Sequence, residues 1–464
     1  MKNTLIKELK ELFRDGRIRL AGGIVILLLG MAVWISSSQY HKIKQQNKIS
    51  EAHERENWED QGEKNPHSAA HYGTYAFKPQ YPLGFLDKGI EKYAGTSVFM
   101  EAHKRNEAQF SPVIDQTGLA RFGELSPDFI LLFIIPLLII LMGYNSFTKE
   151  RELGTVSLLK SQGVKSNNIL FGKWLSLFLP IIAITLLLFL IAGILLSGLE
   201  GFGWGSLFLL LLVYWIYYAV FINITLLTSR LSKSSSIALV VMLSVWIVSC
   251  LVVPKATGNI ADSKYPYPTR QQFTTSVLVD KEKGLDGHNP WSKEAKKLEQ
   301  QTLAKYKVDS LAQLPFNYDA FRMQKGEEHE AKVYQKHYQK LRDQFAGQAS
   351  TYRSLSILSP FLPARFLSMG ISRTDYHSHW DFEDATENYR IITQKFLNDN
   401  FAKNSSYGDW GYKVDSSFWK DLPKFNYEHP SLNKVLEQQL FSLVILMGWL
   451  LISFLLLLTV KNKI

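Results

Sequence analysis

The chain has a single cysteine, Cys250, and it lies inside an apolar run. One thiol excludes an intrachain disulfide and any metal site built on cysteines. The apolar runs, such as Phe129–Tyr144 and Leu175–Leu196, contain no Asp, Glu, Lys, Arg or His. Ion-driven carriers and pumps place such residues at mid-membrane, so any energy source must act from outside these runs. The phosphate-binding loop G-x-x-x-x-G-K-[ST] is missing as well. Gly172-Lys173 has no glycine five residues before Gly172, and no Ser or Thr follows it. The chain therefore does not cradle nucleotide phosphates by that loop. No G-x-S-x-G elbow, internal repeat or low-complexity tract occurs.

What is present falls into two populations. Of 464 residues, 46% are hydrophobic, yet the mean hydropathy is only −0.05. Very apolar segments must therefore alternate with large polar ones. The formal net charge is +10. A basic chain raises nucleic acid as a partner, but Lys and Arg here gather at the ends of apolar runs, where they serve membrane orientation instead. Neither nucleic acid nor a cofactor held by this chain is expected.

Six runs are long enough, or nearly so, to cross a bilayer of about 30 Å. They are read as spans over 20–37, 128–147, 174–196, 206–228, 236–253 and 438–460. Between them stand a first polar loop at 38–127, a short polar segment at 148–173, a second large polar region at 254–437, and a tail at 461–464. Short basic segments occur at the N-terminus, at Lys149–Lys173, at Arg230–Lys233 and at the C-terminus. All four fall on one side of a six-span chain, which the positive-inside rule makes cytoplasmic. Both large loops then fall outside, since long loops translocate largely regardless of charge. A signal peptide is not expected at the first run: its leader carries Glu8, Glu11 and Asp15, and no small-residue cleavage site follows.

Residues 1–19 have their own pattern. Leu5, Ile6, Leu9, Leu12 and Phe13 fall within an arc of about 120°, with Lys7, Glu8, Lys10, Glu11 and Arg14 opposite. That is an amphipathic helix lying in the membrane interface. The outer regions read as mostly helical. Asp319–Phe345 places Tyr334, Tyr338, Leu341 and Phe345 on one face, and Ala385–Phe401 is a second helix. The stretch Asn65–Phe85 is aromatic and rich in turn residues. It has too little apolar mass for a core of its own, so the two loops should fold as one unit. The fold class is mainly α: a polytopic membrane protein with six spans and a helical extracytoplasmic domain built from two loops.

The segment ERELGTVSLLKSQGV, held between the second and third spans, resembles the type-2 ABC exporter permeases. Glu150, Glu152, Gly154, Thr155, Leu158 and Leu159 carry the resemblance, with Gly172 and Lys173 at the start of the next span. It implies a coupling helix, with Arg151 beside these residues, that docks on a separate ATP-hydrolysing subunit. It also implies ATP and Mg2+ on that subunit, a pair of ATPases, and a second permease copy or sister chain. Residues 1–19 are similar to the family's elbow helix. Ile357–Arg390 and Asn65–Pro79 resemble a bacterial subfamily with a large extracytoplasmic insertion of unassigned function. The plainer reading of 148–173 is an ordinary loop with a positive flank.

Three functions are compatible with these residues. The first is export of an unidentified substrate through the inner membrane. The second is mechanotransmission to an outer partner without solute transport. The third is a membrane-anchored periplasmic enzyme, which would need a deep pocket of perturbed acids. Histidines are the remaining chemistry. His67 and His71 stand at i, i+4, and His377 and His379 flank Asp375 and Asp381 in the second loop. A carboxylate–imidazole metal site would form if the loops brought these together. The expectation is the plainer one, that they cap helices and line an interface, with no metal bound.

Overall fold

In the computed structural model, residues 2–111, 125–155, 161 and 164–460 are described. The N-terminal helix α1 (Lys2–Arg14) ends at Asp15, and α2 (Gly16–Glu59) begins at once. Among the described residues, six helices are long and apolar enough to cross a membrane. They are α2, α4 (Pro127–Glu152), α5 (Ser166–Leu196), α6 (Trp204–Leu231), α7 (Ser235–Lys264) and α14 (Leu432–Thr459). Between α2 and α4 lie a short helix α3 (Pro66–Tyr72) and the strands β1 (Thr74–Phe77) and β2 (Ser97–Met100). Between α7 and α14 lie α8 (Arg270–Lys281), α9 (Lys293–Tyr306), α10 (Tyr318–Leu355), α11 (Phe361–Ile371), α12 (Tyr376–Asn404) and α13 (Ser416–Asp421). The protein is mainly α and multi-pass.

The centre of the bundle is α6, where Tyr214, Tyr217, Tyr218 and Phe221 are wholly buried. Their hydroxyls answer a need created by sequence. Pro136 has no N–H to offer Leu132, four residues back, or Leu131, five back. The helix opens into a π-helical turn at Ile130–Ile134. Tyr217 donates to the Leu132 carbonyl and Tyr218 to that of Leu131, both at 3.0 Å, while Trp246 Nε1 donates to that of Phe133 at 3.2 Å. In lipid a bare carbonyl is costly, so donors from neighbouring helices make the proline tolerable. Asn223 also binds across the bundle: it accepts from Trp174 Nε1 at 2.8 Å and donates to Ser453 Oγ at 3.0 Å.

The first span differs from its reading. Helix α2 does not stop near residue 37 but continues unbroken to Glu59. Between Met31 and Glu59 there is neither glycine nor proline, so nothing in the sequence ends the helix where the apolar run ends. The antiparallel β1–β2 pair is an addition to an outer region read as mostly helical.

The two polar regions form one head. Trp58 packs edge-on against Trp419 and donates to its carbonyl at 3.1 Å, while Trp419 Nε1 donates to the carbonyl of Gly62 at 2.8 Å. Lys64 pairs with Val414 in an antiparallel bridge. Where head meets bundle, a buried polar network forms. Tyr214 Oη lies 2.7 Å from Ser368 Oγ, which donates to Asp87 at 2.5 Å; Arg365 donates to Asp87 at 3.0 Å and Asp128 at 2.7 Å. One guanidinium thus faces two carboxylates. Burial pushes the Asp87 carboxyl up to about 6, with Arg365 opposing and Asp128 adding to the rise.

Candidate functional site

The segment after the second span starts with three charged residues, and each is engaged inside the chain. Glu150 is buried and takes Lys7 at 2.8 Å and Lys173 at 3.1 Å. Lys173 also reaches Glu8 at 2.9 Å, so two acids and two cations fasten α1 to α4 and α5. Helix α1 can lie this close because Gly172 sits beneath it; a Cβ there would meet the Thr4 side chain at 2.9 Å. Glu8 and Lys7 therefore point toward the bundle. Leu5, Leu9 and Leu12 are half-buried, and Ile6 and Phe13 stay exposed.

Arg151 turns the other way. Its guanidinium donates to the carbonyls of Arg230 at 2.8 Å and Ser232 at 2.5 Å, closing the C-terminal end of α6. Orphan carbonyls and the negative pole of the helix both favour a cation there. Glu152 accepts from the backbone N–H of Ser235 at 2.7 Å and from its hydroxyl at 3.0 Å, at the start of α7. A carboxylate suits that positive pole. Three consecutive residues thus bind four helices: the bodies of α1 and α5 and the ends of α6 and α7.

Gly154 then adopts φ +68, a left-handed conformation that glycine takes without strain. Leu153 is exposed, and Thr155 Oγ1 donates to the Glu150 carbonyl at 3.3 Å. Leu158 and Leu159 lie outside the described residues.

The histidines regroup. His67 and His71 stand on α3, where Asn65 caps the helix and Pro66 occupies its first turn. Their ring neighbours are His103, after β2, and His288, in the turn between α8 and α9. His377 and His379 are elsewhere: His377 lies 3.4 Å from Arg353, and His379 lies 3.4 Å from Glu383. Burial holds the His67 ring down to about 4. His71 and His288 are lowered too, mainly by burial. Burial also works against charge on His103, but Glu327 and Glu330 outweigh it and raise that ring to about 9. The sequence offered His67 and His71 through their spacing. Nothing in it paired them with His103 or His288, which come from other turns.

A cavity of about 700 Å3 lies between the polar half of α2 and β1, lined by Tyr40, Tyr75, Phe77, Lys42, Lys88 and Glu91, among others.

Residues 104–257, which hold four of the spans, match the family of ABC-2 transporter proteins. The chain carries an ABC-2 permease domain. Residues 270–428 match a domain of unknown function, DUF3526, which is the larger part of the head of this permease. No curated protein matches. The match supports a transporter membrane subunit of the kind that associates with an ABC ATPase.

Proposed function

We propose that this permease is half of the membrane part of an ABC exporter. It works with a second permease chain and a pair of ATPase subunits that bind the ATP and Mg2+. In this reading both termini and the 148–173 segment are cytoplasmic, in a bacterial inner membrane, and the head is outside. Closure of the ATPase pair on ATP pushes the segment after Gly154, and the spans tilt to release an unidentified substrate. The observation that carries this is the charged triplet. Glu150, Arg151 and Glu152 bind α1, α5 and the ends of α6 and α7, so a push arriving just beyond them is delivered to all four helices.

The test is a double substitution, Leu158→Asp with Leu159→Asp. It should abolish co-purification of the ATPase and permease-stimulated ATP hydrolysis, because apolar anchors dominate interface energy. Membrane insertion should persist. Compartment-sensitive reporters after Ser235 and after Lys463 should report cytoplasm, and one near Gly287 the outside. An intact complex in the double variant, or a cytoplasmic signal at Gly287, would sink this reading.

A second reading is supported by α2. The same helix runs from the bundle into the head without a break, which suits delivery of motion to an outer partner with no solute carried.

A further inference from the structure

We propose that His67, His71, His103 and His288 bind one divalent transition-metal ion, Zn2+ or Cu2+, in the head. One ring nitrogen from each of the four lies within 4.8 Å of all the others. The rings of His67 and His71 approach through their Nε2 atoms at 3.3 Å. Those of His103 and His288 do so at 2.7 Å. Four nitrogens around zinc at about 2.0–2.1 Å stand roughly 3.3 Å apart, so a small opening of the second pair completes a tetrahedron. An all-imidazole set suits zinc and copper and does not suit Mg2+ or Ca2+.

The surroundings are built for ligation. His67 Nδ1 faces Asn398 Oδ1 at 3.0 Å, and Asn398 Nδ2 donates to Gln324 Oε1 at 3.1 Å, which fixes the amide. His67 Nδ1 therefore carries its proton, and Nε2 presents a lone pair to the cluster. His103 is held in the same way by a carboxylate. Its Nδ1 lies 2.8 Å from Glu327 Oε1, its backbone N–H donates to the same oxygen at 2.8 Å, and Arg390 steadies the other oxygen at 3.3 Å. Outer partners of this kind orient metal-binding imidazoles. His103 also has φ +62, an uncommon conformation for a side chain of its size, kept by its fixed surroundings.

The fourth ligand arrives by close packing. A Cβ on Gly287 would meet the Met323 backbone at 2.9 Å, and one on Gly326 would meet Gly287 at 2.6 Å. Two glycines thus let the turn bearing His288 lie directly on α10, where Arg322 Nε donates to the Gly287 carbonyl at 3.0 Å. Three ligands come from the first polar region and one from the second, so a bound ion clasps the two halves of the head. His71 and His288 are exposed, which leaves an entry path and makes the ion exchangeable.

The experiment uses the full-length permease without a polyhistidine tag, stripped of metal and titrated separately with ZnCl2 and CuCl2. One ion per chain should bind with micromolar or tighter affinity, and zinc should raise the unfolding temperature. Zinc K-edge absorption should show a nitrogen shell at about 2.0–2.1 Å. The exposed pair His71→Gln with His288→Gln should keep the fold and lose binding more than about 100-fold; Asn398→Ala should weaken it by about 10–100-fold. A preference for copper over zinc would identify the ion within the same site. Absence of stoichiometric binding by either metal, or undiminished binding in the folded double variant, would overturn the proposal. None of these outcomes depends on the ATPase.

Discussion

The Lys7 ammonium donates to the Glu150 carboxylate at 2.8 Å, and 143 residues of sequence separate the two. With Lys173 and Glu8 they form a cluster that is largely shut off from water. A basic group on another protein would have to displace Lys7 or Lys173 to reach Glu150. The carboxylate is therefore a fastener within the chain.

Glu150→Gln should lower stability in detergent by about 1–3 kcal/mol, because charged hydrogen bonds to two cations are weakened. Glu8→Gln should cost less, since Glu150 still faces Lys173. The double variant should cost more than the sum, because buried Lys173 then has no nearby acid. Thermal midpoints of the four proteins measure this; simple additivity would mean that the cluster is not one unit.

At the junction of head and bundle, charge balance makes opposite predictions for two neighbours. Arg365→Met should destabilise by about 2–4 kcal/mol, because it strands the buried Asp87 and the partly buried Asp128. Asp87→Asn should be close to neutral or stabilising at pH 7.5. It removes the excess negative charge and leaves Arg365 paired with Asp128. Asp87 binds its proton more tightly in the folded protein, at about 6, than the ordinary 3.8 of the unfolded chain. Its contribution is thus fully present below pH 4 and lost as the pH rises through 6, a fall on the order of 1–3 kcal/mol. Unfolding curves from pH 4 to 7.5 should show this slope in the parent and a flatter one in Asp87→Asn.

Within the bundle, Tyr217→Phe should cost about 1–2 kcal/mol, since the Leu132 carbonyl loses its side-chain donor in an apolar setting. Restoring the missing N–H by Pro136→Ala should reduce that cost. A Tyr217→Phe penalty that is the same with proline or alanine at 136 would show that the hydroxyl does not compensate for the proline.

The spans were legible because length and apolarity mark what can cross a bilayer, most plainly in Leu440–Val460 and less so in the shorter run Phe129–Tyr144. The N-terminal helix was legible from the spacing of Leu5, Leu9 and Leu12. The triplet at 150–152 stood out as charged, but its partners did not. Lys7, Ser232 and Ser235 are far away in sequence, and pairing across folded helices leaves no local pattern. The histidine cluster failed to show for the same reason: only His67 and His71 share a helix. Residues 41–60 read as a solvated helix, but their unbroken continuity with the first span was missed, because apolar content stops near Ser36 whereas helix propensity does not.

That extension has a mechanical consequence. From Met31 to Glu59 the helix contains no glycine or proline, while Gly16, Gly22, Gly23 and Gly30 all lie in its first half. The glycines give the lipid-facing half some freedom to bend, and the outer half is a stiff pointer. At 1.5 Å per residue the part from Ser38 to Glu59 extends about 33 Å, so a tilt of about 10° moves its tip by roughly 6 Å. Because Trp58 at that tip is locked to Trp419, the displacement is carried into the middle of the head as a lever stroke and is not lost in a hinge.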